Sequence, residues 1–439
     1  MEQREHLQEA LIKRQLRFKT LKEQHSKVKV LHLSHSDSKS GAARAAFEIC
    51  IGQRAHGMNV RLFVRVKHSR VEWIIGPSSR TSSVVSAARA VWGRELISVF
   101  AGRASRTHTL SMNLLPSRFA KMVKKESPSV FNLHWVGTET ISLADISHIK
   151  CPIVWTLHDM WPLLGLSHYP AVSTNGNRIR SPQEEDWRLE RLDKLTRQRK
   201  ERFWSQEWLL VAPTAWMATM ARTSPLTKNN EVAVVPNPVN TDVFRPANQA
   251  FARQLFGLPL QARVLLFGSI DGGGDMRKGA DLLLSALDLL PLRLKKDLVL
   301  FILGASIPPP CLRVLSIRTH GSGFLTDNVA LSLAYSAADL VAVPSRLDNL
   351  PQLATEAASC GRPVVAFNCG GLPDAVVDRV TGRLISPFDV SEFADAIRQI
   401  LDDPQILAQY ATAARELALN RWQGNKIAAS YASIYQKLI

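Results

Sequence analysis

Short apolar runs recur along most of the chain, each closed by a polar or glycine-rich loop and followed by a stretch of helical period. Unbroken runs of about four to eight apolar residues are what strands buried on both faces leave in a sequence. One set contains Val28–Leu33, Val60–Val66, Val130–Val136, Pro152–Leu157, Trp208–Val211 and Glu231–Val235. A second set begins at Val264–Phe267 and continues through Asp297–Leu303, Asp339–Val343, Pro363–Phe367 and Gly382–Ile385. Helical patterns separate them: Ala42–His56 stopped by Gly57, Trp216–Arg222, Ala280–Leu290, a helix from Asp327 to Ala338, a short helix carrying Glu356 and stopped at Gly361, and Val390–Leu401. Residues 404–439 read as helical to the end. Strands alternating with helices predict an α/β fold with parallel sheets.

At 439 residues the chain exceeds the size at which one core keeps growing, so two domains are expected. The turn-rich stretch Pro236–Pro246, with Asn237, Pro238 and Asp242, is the candidate hinge. The expected division is a basic extension over residues 1–27, one domain over 28–240, a second over 241–415, and a final helical segment over 416–439. In the extension, Leu7, Leu11, Leu16 and Leu21 make a loose apolar stripe among Arg and Lys. It reads either as a membrane-surface helix or as a solvated extension, and the interrupting Glu2, Glu5, Glu9 and Glu23 favour the second. Residues 75–130 are expected to hold helices and a long loop around Arg103–His108.

Composition narrows the partners. The excess of 55 basic over 38 acidic residues gives +17, which favours anionic ligands or surfaces. The aromatic–basic stretch 170–207, with Trp187 and Trp204, is read as a loop and a charged helix, and no nucleic acid is expected as a partner. The five cysteines are scattered with no CxxC pair, which argues for a reducing compartment and against a zinc or disulfide framework. A charged N-terminus and no long apolar run point to a cytoplasmic protein.

Four loops carry candidate chemistry. Small residues from Ser34 to Gly41, with Arg44 in the next turn, suit a phosphate, although the pattern is not GxGxxG. The glycine-rich loop after Gly268, ending in Arg277, Lys278 and Gly279, reads as a diphosphate cradle with two cations, or as a mobile loop with exposed charge. His158 stands at the end of a strand, where substrates bind, and is either functional or a structural histidine satisfied by Asp159 or backbone. Asp348 and Glu356 bracket a loop-to-helix turn and read as ligand-holding carboxylates, an acid–base pair, or an ordinary loop and core helix.

Together these motifs resemble the retaining nucleotide-sugar glycosyltransferases of family four, over Val28 to the C-terminus. The family's paired acids match Asp348 and Glu356, with Asp where Glu is commoner. Gly41–Arg44, Asn132–Trp135, Trp155–Pro162, Arg277–Gly279, Asp348–Pro351 and Cys360–Val365 look like a subgroup acting in bacterial polysaccharide assembly. The resemblance implies the GT-B architecture, two facing Rossmann-like domains around a cleft, and a hexosyltransferase-type activity on a glycan or lipid-linked saccharide acceptor. It implies that the nucleotide-diphosphate sugar is a substrate, that no cofactor is held and that metal is not required. Lys278 and Arg277 would hold the diphosphate, and Asp348, with the backbone of Asn349 and Leu350, would position the sugar. Glu356 would bind the ribose, Ser269 would line the phosphate site, and Gly323–Phe324 would face the base. Gly41 would let the first loop approach the phosphates, His158 would stand near the reacting sugar, and the final helix would cross back to the first domain. Work at the inner face of a membrane would follow, by peripheral contact. Two departures stand out: Pro238 where Gly is usual, and no Cys in residues 170–207 where relatives carry a Cys-bearing insert. A GT-B nucleotide-sugar 2-epimerase and a non-catalytic nucleotide-sugar-binding protein are the alternatives.

Overall fold

The computed structural model describes residues 28–38, 40–77, 79–101, 109–170, 172–174, 177–179, 187–204, 207–268, 275–305 and 316–439. The basic extension, the loop around Arg103–His108 and the glycine-rich loop with Ser269 lie outside them.

The first sheet uses β1 (Lys29–Ser36), β2 (Asn59–Val66), β3 (Ile74–Ile75), β4 (Val130–Leu133) and β5 (Ile153–Thr156). After the small antiparallel hairpin β6 (Val172–Thr174) and β7 (Asn177–Ile179), it is completed by β8 (Leu209–Ala212) and β9 (Val232–Val234). Its order is β3-β2-β1-β4-β5-β8-β9, with every neighbour parallel. The second sheet is built from β10 (Arg263–Gly268), β11 (Leu298–Leu303), β12 (Arg318–Gly321), β13 (Leu340–Val343), β14 (Val364–Phe367) and β15 (Gly382–Ile385). Its order is β12-β11-β10-β13-β14-β15, again parallel. The apolar runs are buried on both faces: along β10, Val264 and Leu266 join one core cluster while Leu265 and Phe267 join the other.

In each sheet the chain moves outward from its first strand and then returns to build on the other side. The loops after β1 and β4, and after β10 and β13, therefore part at a crevice where ligands of α/β sheets bind. β12 was not among the expected strands because Arg-Thr-His-Gly offers no apolar run at the sheet edge. The stretch 170–207 departs from a loop and an exposed helix: it contains the hairpin, and helix Trp187–Phe203 buries Leu189, Leu192, Thr196 and Lys200. The Lys200 ammonium is held by the carbonyls of Trp161, Leu164 and Gly165 beneath the Trp161 ring.

Two connections run side by side between the sheets. Val239 N–H donates to Trp422 O at 2.8 Å, and Val239 bridges to Gln423. The last helix, Gly424–Leu438, then packs on helix Gly41–Ala55 of the first domain. Close approach there needs a glycine: a Cβ on Gly52 would lie 2.8 Å from Gly424 O. Gly52→Leu is therefore expected to lower stability by roughly 1–3 kcal/mol through overpacking. Thermal unfolding measures the loss, and limited proteolysis should show the last helix released first.

Candidate functional site

The turn after β10 is fixed before any ligand arrives. Residues Met276–Lys278 form a single tight turn capped by Asp275, whose Oδ1 accepts the Arg277 N–H at 3.0 Å. Gly279 closes it at φ +68, and a Cβ there would lie 1.9 Å from Pro344 O, so only glycine fits against the loop after β13. Buried Arg346 binds the two loops together. It donates from Nη1 to Met276 O at 2.8 Å, forks onto Asp281, and its N–H donates to Arg277 O at 2.7 Å. The Lys278 ammonium is thereby placed 2.5 Å from Asp348 Oδ2. The Arg277 guanidinium stacks 4.0 Å from the centre of the Tyr169 ring, which comes from the other domain. Burial of Asp348 opposes its charge, but Lys278 and then Arg277 outweigh it and hold the carboxyl below its ordinary value.

Glu356, on helix Gln352–Ser359, meets the opposite domain directly. Arg44 donates to its Oε1, and Tyr335 O–H donates to Oε2 at 3.0 Å. Arg44 lies in the first turn of helix Gly41–Ala55, whose N-cap Ser40 accepts the Ala43 N–H at 3.2 Å. One turn on, Glu48 also lines the cleft. Two carboxylates thus share one guanidinium. Burial pushes Glu48 up to about 7, with Arg44 pulling it down and Glu356 pushing it further up. Glu356 is also raised, by burial, against Arg44 and Tyr335.

The first domain supplies the facing wall. His158 follows β5, and its Nε2 lies 2.9 Å from His134 Nδ1. Burial lowers its pKa to about 4 against the pull of Asp159, so the ring is neutral at ordinary pH. Its hydrogen-bond partner is a histidine rather than the expected Asp159 or backbone. Asp159 instead accepts from Trp135 Nε1 at 2.5 Å and pairs with His168, which reaches Ser111 Oγ at 2.8 Å. Asn349 ties the walls together: Nδ2 donates to Leu157 O at 2.8 Å, and Oδ1 accepts from Thr214 at 3.0 Å. The Asn349 backbone N–H, read as a sugar contact, donates to Asp348 Oδ1 at 3.1 Å. A Cβ on Gly371 would lie 1.6 Å from Asn349 O, so the next loop also presses on this segment.

These walls enclose a cavity of about 1400 Å³ at the two crevices. Lys278, Arg277, Asp348, His158, Glu356, Asn349, Leu350, Phe324 and Gly41 all line it. Gly323 is not among the lining residues; its N–H and C=O bond to Ala305 and Gly304 instead. Ser269 lies outside the described residues. The sequence reading did not place Arg44, Glu48, Tyr169 or Tyr335 in the site, although Arg44 stood in a phosphate-friendly turn. Among the described residues no group of three or more His, Cys, Asp or Glu side chains is placed to hold a metal ion.

Both halves match known families. The family described as Glycosyltransferase Family 4 matches residues 39–243, and that described as Glycosyl transferases group 1 matches residues 272–417. The chain belongs to the GT-B glycosyltransferases. That membership gives the reaction class, transfer of a sugar from a nucleotide-sugar donor to an acceptor. Among curated relatives, a D-inositol 3-phosphate glycosyltransferase of Corynebacterium diphtheriae is 28% identical over 341 residues, 70% of this chain and 76% of that one. The chain spans about half the length of further relatives with that name. Among solved structures, sucrose-phosphate synthase of Thermosynechococcus elongatus has the same fold, with TM-score 0.66 and 19% identity over 94% of this chain and 99% of that one. Anabaena HepE, solved with UDP and glucose, gives 0.64 and 18% over 94% and 100%.

The charge set of the glycosyltransferase makes a pH prediction. Glu48 is raised to about 7 from an ordinary 4.5, so in that window only the folded state holds its proton. The contribution of Glu48 to stability therefore falls as pH rises from about 4.5 through about 7 and is level above it, while the buried His32 and His158, lowered to about 4, contribute in the opposite sense as pH rises toward 6.5. Glu48→Gln is expected to remove that one contribution, so that the difference between parent and variant changes only between about pH 4.5 and 7, with the variant the more stable at pH 8 by at most about 3 kcal/mol. Denaturant unfolding at a series of pH values checks this.

Proposed function

We propose that this glycosyltransferase works with retention, using the Lys278–Arg277 turn for the donor diphosphate and passing the sugar to a glycan or lipid-linked saccharide in polysaccharide or glycoconjugate assembly. One observation carries the reading: two fixed cations stand at the crevice of the second sheet and share a cavity with His158, which follows β5 of the first. Breaking a sugar–diphosphate bond leaves charge on a phosphate oxygen, and preorganised cations are the cheapest way to stabilise it. Asp348, held ionised beside Lys278, is suited to accept sugar hydroxyls. Glu356 is suited to the ribose hydroxyls once Arg44 yields. The HepE structure with UDP and glucose makes a uridine nucleotide sugar the first donor to try.

Membrane contact is part of this reading. No helix among the described residues is long and apolar enough to cross a bilayer. Helix Arg80–Ala101 nevertheless exposes Val84, Trp92 and Val99 at 67%, 67% and 77%. Apolar side chains exposed on a helix that also carries Arg80 and Arg94 suit the surface of an anionic membrane.

Two measurements follow. A panel of nucleotide sugars should contain one that raises the melting temperature and releases nucleotide only when acceptor is present. Lys278→Ala should slow release by roughly 10²–10³-fold, and Glu356→Ala should mainly weaken donor binding. Parental rates in both variants would sink the site assignment, and an altered sugar nucleotide without acceptor would indicate epimerase chemistry. Separately, the protein should sediment with vesicles containing anionic lipid, and the double change Trp92→Ser, Val99→Ser should reduce that fraction several-fold without altering nucleotide binding.

A further inference from the structure

Four buried or half-buried polar side chains run in file through the first domain to the cleft. Gln53 comes from helix Gly41–Ala55, His32 from β1, His134 from the end of β4 and His158 from the end of β5. Gln53 Oε1 lies 2.8 Å from His32 Nε2, His32 Nδ1 lies 2.8 Å from His134 Nε2, and His134 Nδ1 lies 2.9 Å from His158 Nε2. The ring centres are 5.1 Å apart at both steps, with planes inclined by 16° and 22°. Rings joined nitrogen to nitrogen at such distances are linked end to end rather than face to face.

The chain has a direction. An amide oxygen can only accept, so His32 Nε2 must carry its proton. A neutral His32 then offers a lone pair at Nδ1, which requires a proton on His134 Nε2. By the same step His134 Nδ1 is bare and His158 Nε2 is protonated, leaving His158 Nδ1 as the free acceptor of a residue that lines the cleft. The amide's other end meets the far end of the chain. Gln53 Nε2 donates to the Tyr435 hydroxyl oxygen at 3.0 Å, and the same oxygen accepts from Asn132 Nδ2 at 2.8 Å. Tyr435 belongs to the last helix. Gln53 and His32 are fully buried and His134 is 1% exposed, so water has no access with which to reverse the file locally.

We propose that Gln53, His32 and His134 are positioning residues that keep His158 in one neutral tautomer, with Nδ1 as a hydrogen-bond acceptor for a sugar hydroxyl in the cleft. Its sugar-binding half rests on the transferase reading above; its tautomer half does not. Burial disfavours an imidazolium anywhere along the file, since it lowers His32 and His158 to about 4 and His134 well below its ordinary value. A neutral acceptor is useful here because an imidazolium would compete with Lys278 and Arg277 for the donor phosphates.

Long-range 1H–15N correlation on the full chain labelled at histidine reports each tautomer directly, with His158 assigned by the signal missing from His158→Asn. The expected spectrum at neutral pH shows protonated Nε2 and bare Nδ1 at His32, His134 and His158. In Gln53→Leu the His158 signals should become those of mixed tautomers, and kcat should fall about tenfold with donor KM unaltered, the scale of one oriented hydrogen bond. Gln53→Glu keeps an accepting oxygen and should restore the single tautomer. A protonated Nδ1 at His158 in the parent protein overturns the proposal even if no variant folds. So does a single tautomer that survives Gln53→Leu, or a mixed one with parental kcat. A parent protein that shows the expected tautomers yet turns over no nucleotide sugar counts against the transferase reading and leaves the file standing.

Discussion

A carboxylate taken out of water must find a cation or give up its charge, and two of those buried in the cleft are tied to its cations. Asp348 meets Lys278 within its own domain, and Glu356 meets Arg44 from the other. The position of each cation is set elsewhere, by the turn after β10 and by the first turn of helix Gly41–Ala55. Ionisation of the site and closure of the domains are therefore one problem. On the proposed function, a nucleotide-diphosphate sugar would enter an arrangement that already satisfies itself. It must exchange hydroxyls and phosphates for existing ion pairs, so binding energy goes into rearranging the interface as well as into new contacts. Such exchange suits a cleft that must admit a donor, shut out water and open again.

The covalent path of the chain supports that exchange. It leaves the first domain near Val239 and returns near Trp422, and the two strands of chain are hydrogen-bonded where they pass. Bending at this crossing would move one sheet against the other, with Val239 and Trp422, buried in the second domain's core, as the part that must shift. The returning helix packs on the helix that carries Gly41, Arg44, Glu48 and Gln53. One helix thus carries the loop facing Gln352 of the second domain, a partner of Glu356, a carboxyl that titrates near neutrality and the start of the histidine file. Its seating is fixed by residues more than 370 positions away, such as Tyr435 on Gln53.

What could be read from the sequence is what local pattern encodes. Val264–Phe267 and Pro363–Phe367 announce buried strands because apolar side chains on both faces leave no alternation, whereas Arg318–Gly321 does not because an edge strand has less to bury. Asp348, Glu356, Arg277 and Lys278 stood out because their spacing lies within one loop or helix. The pairings were not legible. Arg44 and Glu356 are separated by 312 residues, and nothing near either announces the other. His158 read as a lone histidine because its partners come from β1 and β4, which are neighbours only once the sheet order is known. The available signal was polarity out of place: His32 and Asn132 interrupt strands that are otherwise apolar, and a buried polar group implies a partner.

The same pairings bear on how the chemistry is divided. A glycosidase-type mechanism needs one carboxyl free to give a proton and another free to approach the anomeric carbon. Asp348 has Oδ2 on Lys278 and Oδ1 on the Asn349 N–H, and its pKa is held down. Glu356 accepts at both oxygens, from Arg44 and Tyr335. Asp159, the carboxylate next to His158, accepts from the Trp161 N–H, Trp135 and His168. The carboxyl that keeps a proton near neutral pH is Glu48, beside Arg44 and Glu356 and away from the Lys278–Arg277 turn proposed for the diphosphate. Proton donation to the leaving group is therefore not what the carboxylates are arranged for. Under the proposed function, stabilising the departing phosphate would fall to Lys278 and Arg277, with Asp348 fixing Lys278 and presenting oxygen to a sugar hydroxyl.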